Sequence, residues 1–259
     1  MCIRDSVPIH IVIPTYNEVE NITMLLEGIF DLGLPNTHVL IVDDDSPDGT
    51  FEIAKAFAET NEYSVSLLRR NGKEGLGTAY RDGFREVLRQ ISREEVVVVQ
   101  MDADLSHSPV YLPEMISMLD ESDVVVGSRY YEGGGSVKEW SLCRKILSIG
   151  GNWLSRFISR FAVCDCTSGF KIFRSTVLKN IVWEDIRCVG FGFQVEVAME
   201  CQNSGFIVKE YPIIFNDRMS GYSKMSMSII IEAMIKVTLK RLHFFGLMGI
   251  LKILTRSRD

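Results

Sequence analysis

Short runs of apolar residues alternate with longer amphipathic segments along the first half of the chain. The runs are rich in β-branched residues, as strands buried in a sheet are, and they cover 9–13, 39–42, 65–68, 96–101 and 124–126. The segments between them carry apolar residues at helical spacing, and they cover about 18–32, 50–60, 74–91 and 109–120. This alternation predicts right-handed βαβ crossovers, and therefore an α/β fold with a mainly parallel sheet flanked by helices.

The pattern changes after residue 130. Three consecutive glycines at 133–135 predict a flexible loop. The spacing of apolar residues predicts an amphipathic helix over 140–161. A further helix is expected near 191–204 and a strand near 206–215.

The tail from residue 225 onward is helical by composition. Between 236 and 258 it contains six Lys or Arg residues and no acidic residue, interleaved with apolar side chains. Such a segment is typical of a helix that lies on a membrane surface, and a core-packing helix with a solvated basic face is the alternative. We therefore expect a disordered leader, a main α/β domain and a basic amphipathic segment, with bounds 1–6, 7–224 and 225–259.

Composition narrows the class of protein. The formal net charge of −6 argues against a nucleic-acid-binding protein. No apolar stretch is long enough to span a membrane, and no secretory signal precedes the first strand. The six cysteines are scattered, and the close pair Cys164 and Cys166 has no partner at zinc spacing. Reduced, buried thiols are therefore expected, as in a reducing compartment.

Two carboxylates follow a run of four valines at 96–99, within the sequence Asp102-Ala103-Asp104. Open α/β sheets bind ligands at the carboxyl ends of their strands. Mg²⁺ is commonly held by one or two carboxylates together with substrate phosphates. The tripeptide therefore indicates a metal ion that holds a diphosphate. The alternative is that both residues serve only as turn and helix-cap residues ahead of Ser106.

The first strand also ends in polar and aromatic residues, Pro14, Tyr16 and Glu18. The proline is expected to end the strand. The tyrosine either stacks on a base or packs in the loop. The glutamate either binds a hydroxyl group or caps the following helix.

The second strand ends in three adjacent carboxylates, Asp43, Asp44 and Asp45. Carboxylates at this place can accept hydrogen bonds from a base or from ribose hydroxyls. Asp48, which follows in a Ser-Pro-Asp-Gly sequence, is interpreted as a turn residue or helix N-cap.

Two glycines, Gly75 and Gly77, open the third predicted helix. They lack the Lys-Ser/Thr ending of a phosphate-binding loop. We therefore expect them to serve helix packing against the sheet, with the neighbouring Lys73 as a weaker candidate for binding an anionic substrate.

Seven motifs follow one another over roughly residues 7–240: I-P-T-Y-N-E, V-D-D-D-S-P-D-G-T, G-L-G-T-A-Y, D-A-D-L-S-H, G-S-R-Y, S-G-F-K and D-R-x-x-G-x-S-K. In this order they resemble the family 2 glycosyltransferases of GT-A fold, and most closely the polyprenol-phosphate glycosyltransferases of the dolichol-phosphate mannose synthase type. The resemblance implies a GT-A, Rossmann-like fold with C-terminal amphipathic interfacial helices.

The resemblance also implies a donor site at the strand ends. Residues expected to form or support the nucleotide pocket are Pro14, Tyr16, Glu18, Asp43, Asp44, Asp102 and Ala103. Asp102 and Asp104 would be the ligands of Mg²⁺ or Mn²⁺, with Ser106 as a poorer third ligand.

The acceptor site calls for cations. A lipid monophosphate is already an anion near neutral pH and can attack the sugar without a general base, so the protein must hold two phosphate groups that repel each other. Candidates for this role are Arg129, Arg144, Arg218 and Lys224; Gln194, Glu196 and Asp165 are expected to contact the sugar or to orient an arginine. Asp104, Arg129, Arg218 and Lys224 are the residues expected to be catalytic.

The expected activity is transfer of a hexose, foremost mannose from GDP-mannose, to a polyprenyl (dolichyl) phosphate with inversion at the anomeric carbon. The expected location is peripheral, on the cytoplasmic face of a membrane: the endoplasmic reticulum in a eukaryote, the inner membrane in a prokaryote. Small membrane-spanning subunits are further expected partners. The alternative is a glycosyltransferase of the same fold that uses UDP-glucose as donor or a different acceptor. A non-catalytic membrane-surface subunit is the alternative of a different class, and a nucleotidyltransferase is disfavoured because its Gly-rich, basic N-terminal signature is absent.

Overall fold

The structure is a computed structural model that describes residues 7–91, 95–131, 133–138, 142–159, 163–190 and 192–216. Its strands are β1 (Ile9–Thr15), β2 (Thr37–Asp43), β3 (Val65–Arg69), β4 (Val97–Gln100), β5 (Val124–Ser128), β6 (Ser136–Val137), β7 (Lys171–Arg174), β8 (Val208–Pro212) and β9 (Ile214–Phe215). Its α-helices are α1 (Ile22–Phe30), α2 (Thr50–Thr60), α3 (Leu76–Gln90), α4 (Leu112–Ser117), α5 (Leu142–Ser159), α6 (Ser175–Asn180) and α7 (Gly192–Asn203). Short 3₁₀ segments cover Pro109–Tyr111, Met118–Glu121 and Trp183–Asp185.

The main sheet has seven strands in the order β3-β2-β1-β4-β7-β5-β8. β7 is antiparallel to its neighbours β4 and β5, and the other pairs are parallel. The predicted mainly parallel α/β sheet is thus confirmed. Strand β7 was not predicted, because its sequence Lys-Ile-Phe-Arg carries only a short apolar core. The predicted strand at 206–215 is divided at Ile213 into β8 and β9, which belong to different sheets.

Pro14 lies inside β1, so the prediction that it ends the strand is wrong. It pairs in the parallel ladder with Val42 of β2. On the other side of β1, the pairing with β4 extends only to Val12 and Gln100. Pro14 therefore has no partner strand on that side, and its missing N–H leaves no ladder bond unmade.

Helices cover both faces of the sheet. On one face, Ile11 of β1 packs with Leu25 of α1 in a buried cluster. On the other face, Val12 packs with Phe84 of α3. Helix α3 lies close to the strands because Gly83 has no side chain, since a Cβ there would come within 2.4 Å of Val12 Cγ1.

The carboxyl ends of β1, β2 and β4 meet at one edge of the sheet, hereafter the carboxyl edge. Each of the three loops that leave this edge contains a non-glycine residue in the left-handed region: Asn17 (φ 59°), Asp45 (φ 56°) and Leu105 (φ 61°). Such conformations are uncommon outside glycine and concentrate at functional sites. The three loops therefore turn sharply at the place where the acidic motifs lie.

The predicted leader 1–6 and basic segment 225–259 lie outside the described residues, so the predicted division of the chain stays a prediction. None of the helices in the described part of the chain is both long and apolar enough to cross a membrane.

Candidate active site

A buried carboxylate joins the loops that follow β1 and β2. Asp43 accepts hydrogen bonds from Thr15 Oγ1 at 2.8 Å and from the backbone and side chain of Ser46 at 2.9 and 2.6 Å. The Ser46 hydroxyl in turn accepts the backbone N–H of Asn17 at 3.1 Å. Asp43 is fully buried and holds the two loops together, and its predicted support of a nucleotide pocket stays a prediction.

Asp48 holds the same two loops together further out. Its carboxylate accepts the backbone N–H of Thr50, the first residue of α2, at 3.0 Å, and that of Val19 at 3.2 Å. The backbone N–H of Glu18 donates to Thr50 Oγ1 at 2.9 Å. The interpretation of Asp48 as a turn residue is confirmed, but the alternative that it is the helix N-cap is wrong, because Gly49 takes that position of α2.

Asp44 forms a buried ion pair with Arg70, a residue that sequence reasoning missed. Arg70 Nη1 lies 2.5 Å from Asp44 Oδ1, and both side chains are less than a tenth exposed. Burial raises the pKa of Asp44 above its ordinary value, although the hydrogen bond and charge of Arg70 act in the opposite direction. The guanidinium also donates to Thr78 of α3 at 2.8 Å and lies 3.0 Å from Asp82. Arg70 thus ties the predicted nucleotide pocket to α3.

The aromatic residue of the first loop has a cation above its ring. Lys73 Nζ lies 4.2 Å from the centroid of Tyr16, a cation–π arrangement. Glu18 accepts a hydrogen bond at 2.8 Å from the side chain of Asn21, the residue just before α1. The structure therefore brings Tyr16, Glu18 and Lys73 to the carboxyl edge.

Asp102 and Asp104 lie on the loop after β4, with Ala103 buried between them. Asp104 is buried, and its Oδ1 accepts the backbone N–H of Ser106 at 3.2 Å and the Ser106 hydroxyl at 2.5 Å. Ser106 thereby orients Asp104, and its role as a third metal ligand stays a prediction. The Asp102 side chain keeps 26% of its surface exposed.

This pair of carboxylates suits a metal shared with a substrate. An all-oxygen, charged donor set is what Mg²⁺ and Mn²⁺ take. Within the ranges that the structure describes, no group of three or more His, Cys, Asp or Glu residues is placed to hold a metal ion. Mg²⁺ is usually bound by one or two carboxylates plus substrate phosphates. Asp102 and Asp104 therefore fit a cation whose remaining ligands come from a diphosphate.

Arg129 is the centre of a second buried ion pair. Its Nε and Nη2 donate to the two carboxylate oxygens of Asp165 at 2.7 and 2.9 Å, and Nη2 also donates to Thr167 at 2.7 Å. Burial alone would raise the pKa of Asp165, but the Arg129 charge and its hydrogen bonds hold that pKa below the ordinary value. Asp165 thus orients an arginine, one of the two roles predicted for it. This carboxylate balances the guanidinium charge, and the predicted role of Arg129 as a cation for the acceptor phosphate stays a prediction.

Gln194 and Glu196 are buried in α7 rather than directed at open solvent. Glu196 Oε2 accepts the backbone N–H groups of Arg187 and Cys188 at 2.8 and 2.7 Å, so it holds the loop before α7. This contact uses Oε2, and the predicted role of Glu196, to contact the sugar or to orient an arginine, stays a prediction.

Gln194 belongs to a polar cluster beneath the loop of Asp102. Its Oε1 accepts hydrogen bonds from Gln100 Nε2 at 2.6 Å and from Lys171 Nζ at 2.8 Å. Burial lowers the pKa of Lys171 to about 8. The role predicted for Gln194 toward the sugar stays a prediction.

Three predicted acceptor residues cannot be placed. Arg218 and Lys224 lie outside the described residues, and Arg144 lies on α5 with a side chain that is outside them too.

The glycines that open α3 serve close packing, as predicted, but against α7 and the loop before it instead of the sheet. A Cβ at Gly75 would lie 2.8 Å from the carbonyl oxygen of Val189, and one at Gly77 would lie 2.8 Å from Phe193 Cβ. Cys164, Cys166, Cys188 and Cys201 are free thiols, as expected.

Comparisons with known proteins agree with this architecture. The family model for glycosyl transferase family 2 matches residues 10–182. A polyprenol monophosphomannose synthase from Mycolicibacterium smegmatis is 41% identical over 228 residues, which cover 88% of this chain and 84% of that protein. An undecaprenyl-phosphate mannosyltransferase from Micrococcus luteus is 40% identical over 227 residues, covering 88% and 91% of the two chains.

Solved structures share the fold at low sequence identity. Glucosyl-3-phosphoglycerate synthase from Mycobacterium tuberculosis, in complex with Mn²⁺, UDP and phosphoglyceric acid, superposes with a TM-score of 0.65 at 15% identity, over 91% of this chain and 79% of that chain. A complex of the same enzyme with Mg²⁺ and UDP also gives 0.65, at 14% identity and the same coverage.

Proposed function

Because this chain belongs to glycosyl transferase family 2, we propose that it transfers mannose from GDP-mannose to a polyprenyl phosphate, with Mg²⁺ or Mn²⁺ as cofactor. The observation that carries the proposal is sequence identity over 88% of the chain to two relatives, 41% to one and 40% to the other. Both relatives are named as mannose-transferring enzymes that use a polyprenyl phosphate. The acidic strand ends described above lie within that shared length.

In this proposal the carboxyl edge binds the donor. Asp102 and Asp104 would hold the cation, which when bound offsets the charge of the donor diphosphate and of the leaving nucleotide. Asp44 lies beside the pocket with one oxygen bonded to Arg70. The nucleotide base would stack on the ring of Tyr16. It would use either the ring face that Lys73 covers in this structure or the opposite face.

The acceptor needs no general base from the protein. A phosphate monoester is largely ionised at neutral pH, since its second pKa is about 6, and its oxygen can attack the anomeric carbon directly. The protein must bring two anionic groups together and hold them in line. Arg218 and Lys224 are the cations we assign to the lipid phosphate. Arg129 in turn fixes Asp165 on the loop between β5 and β7.

Helix α5 supplies a surface for a lipid. Ile149, Trp153 and Phe157 are spaced four residues apart and lie on one face of the helix, 53%, 63% and 70% exposed. The rings of Trp153 and Phe157 stack at 5.7 Å. Exposed aromatic and aliphatic side chains on one helix face suit shallow insertion at a membrane surface. We therefore propose a peripheral protein on the cytoplasmic leaflet; anchoring by small membrane-spanning subunits stays a prediction.

A donor panel tests the proposed function. The full chain is incubated with a short polyprenyl phosphate, Mn²⁺ and either GDP-mannose, UDP-glucose or UDP-galactose, and the lipid product is identified by mass spectrometry. The proposal expects polyprenyl phosphate mannose and GDP from the first mixture only. Faster transfer from a UDP-sugar would refute the donor assignment. A parallel mixture contains phosphoglyceric acid in place of the lipid, and transfer to that acid would refute the acceptor assignment.

A further inference from the structure

Tyr80 of α3 contacts the carboxylate of Asp102, the more exposed of the two carboxylates in the Asp102-Ala103-Asp104 sequence. Its hydroxyl donates to Asp102 Oδ1 at 2.7 Å, and the whole side chain is buried. The ring is fixed by stacking on Phe84 and Phe193, at 5.8 and 6.2 Å between centroids. The hydroxyl therefore has one well-defined position relative to β4.

Gly169 closes the other side of the same carboxylate. A Cβ built on Gly169 would lie 3.0 Å from Asp102 Oδ2 and 3.1 Å from His107 Cε1, both closer than ordinary side-chain contacts. The backbone N–H of Asp102 donates to His107 Nδ1 at 3.1 Å, so the main chain is fixed as well. The carboxylate thus lies between a hydroxyl group and a glycine backbone.

We propose that Tyr80 and Gly169 are positioning residues that hold Asp102 in the single orientation in which it binds the metal–diphosphate complex. The inference rests on the proposed function, because it assigns the support of that function's metal-binding carboxylate. The Tyr80 hydrogen bond occupies Oδ1 on the protein side and leaves the exposed part of the carboxylate to a cation. Gly169 provides the space in which this rotamer fits.

The physical reason is the softness of a carboxylate torsion. The last torsion of an aspartate is broad and roughly two-fold, so an unsupported carboxylate turns easily. A hydrogen bond to a charged acceptor is shorter and stronger than a neutral one. Partners that orient metal-ligating groups typically change metal affinity 10- to 100-fold when they are removed.

The test measures nucleotide binding and not turnover. GDP binding to the full chain is determined by calorimetry with Mn²⁺ and with excess chelator, for the wild type and for Tyr80→Phe. The variant should weaken Mn²⁺-dependent binding by about 10-fold or more and leave binding in chelator unchanged. Tyr111→Phe is the matched control, because its hydroxyl accepts the backbone N–H of Ile214 at 3.1 Å, outside the loop of Asp102.

Gly169→Ala is the second, independent variant, since its methyl group would press on Asp102 Oδ2 and on His107, whose Nδ1 accepts the backbone N–H of Asp102. It should weaken the same Mn²⁺-dependent binding, whereas Gly28→Ala on α1 meets only an ordinary contact of 3.7 Å and should not. Unchanged metal dependence in Tyr80→Phe, or an equal loss in Tyr111→Phe, would overturn the inference. If the wild type itself shows no metal-dependent binding, the proposed function fails and the inference fails with it.

Discussion

The guanidinium of Arg70 lies 2.5 Å from the carboxylate of Asp44, and both side chains are almost completely buried. Replacing Arg70 with Met would leave the negative charge of Asp44 inside the protein without its partner. Such a change typically costs about 3–5 kcal/mol of unfolding free energy. Urea unfolding of Arg70→Met should show this loss. Arg69→Met is the control, because Arg69 and its partner Asp45 are about half exposed, and a surface pair contributes about 0–1 kcal/mol. Equal losses in both variants would contradict the assignment.

Asp104→Asn should abolish transfer and metal-dependent donor binding. The change removes one of two carboxylates that offset the diphosphate charge, so we expect a rate loss on the order of 10²-fold or more. Asp31→Asn removes a carboxylate at the exposed end of α1 and should leave the rate unchanged. Full activity of Asp104→Asn, or of the wild type in excess chelator, would show that this residue does not bind the metal.

Arg218→Ala should impair transfer far more than donor binding, because we assign Arg218 to the lipid phosphate. Arg218→Lys should restore activity only in part, since the two-pronged contact of a guanidinium is lost. Calorimetry with the donor alone separates the two steps, and a loss of donor binding as large as the loss of transfer would refute the placement.

Arg129→Met should behave differently from Arg218→Ala. It leaves the buried Asp165 carboxylate without its bidentate partner, so the main effect should be a loss of about 3–5 kcal/mol in unfolding free energy. Its urea midpoint should fall accordingly, whereas the midpoint of Arg218→Ala should not. A stable Arg129→Met protein with a selective loss of acceptor binding would instead support the predicted role of Arg129 at the lipid phosphate.

Membrane binding should depend on α5 and on the basic segment. The six basic residues between 236 and 258 each contribute up to about 1 kcal/mol against anionic lipid. Deletion of 236–259, or the double change Trp153→Ser and Phe157→Ser, should reduce co-sedimentation with anionic vesicles. High salt should release the wild type in part. Val110→Ser is the control, because Val110 is 59% exposed and lies outside α5. A deletion variant that fails to fold would indicate a core helix instead of a membrane segment.

Stability should fall as the pH drops below neutral, through His10. Burial lowers the pKa of His10 to about 4, and the neighbouring charge of His38 acts in the same direction. Between pH 7.5 and 5.5 the unfolded chain takes up a proton at this histidine, whose ordinary pKa is about 6.5, while the folded chain does not. The contribution of neutral His10 to the free energy of unfolding is therefore fully present above pH 6.5 and is lost as the pH falls toward 4. Urea midpoints at pH 7.5 and 5.5 should differ less in His10→Gln than in the wild type.

The sequence was sufficient to predict which acidic residues lie at the carboxyl edge, but not the buried ion pairs that they form there. Asp43 and Asp102 follow apolar runs directly, and Asp44 and Asp104 follow them after one and two residues. Parallel strands bring their carboxyl ends together, so the meeting place of these carboxylates follows from the pattern alone. Arg70 also follows a strand, yet nothing in its sequence position shows that it turns inward to Asp44. Ion pairs of this kind depend on side-chain direction, which hydrophobic periodicity does not encode.

Arg129 and Asp165 illustrate a different limit. Their pairing depends on β7, an antiparallel strand that enters the sheet next to β5. A short strand with charged ends gives a weak pattern, and without it the distance between residues 129 and 165 is undefined. Sequence reasoning missed Tyr80 because a tyrosine at an apolar position of a helix is normally interpreted as a core residue. Only the structure shows that its hydroxyl donates a hydrogen bond to Asp102.

The direction of β7 has a consequence for how the molecule can change. The chain leaves the sheet after β5 at the carboxyl edge, and it returns at the same edge, where Lys171 stands beside Val126. The whole stretch between them, including α5, is therefore an insert between neighbouring strands, and it does not cross the sheet. The part of this insert formed by α5 (Leu142–Ser159) can be lengthened, shortened or exchanged while the strand order, the Arg129–Asp165 pair and Gly169 stay in place. New acceptors could thus be acquired by replacing one continuous piece of chain, and a chimaera with only this helical part taken from a relative should keep its nucleotide affinity.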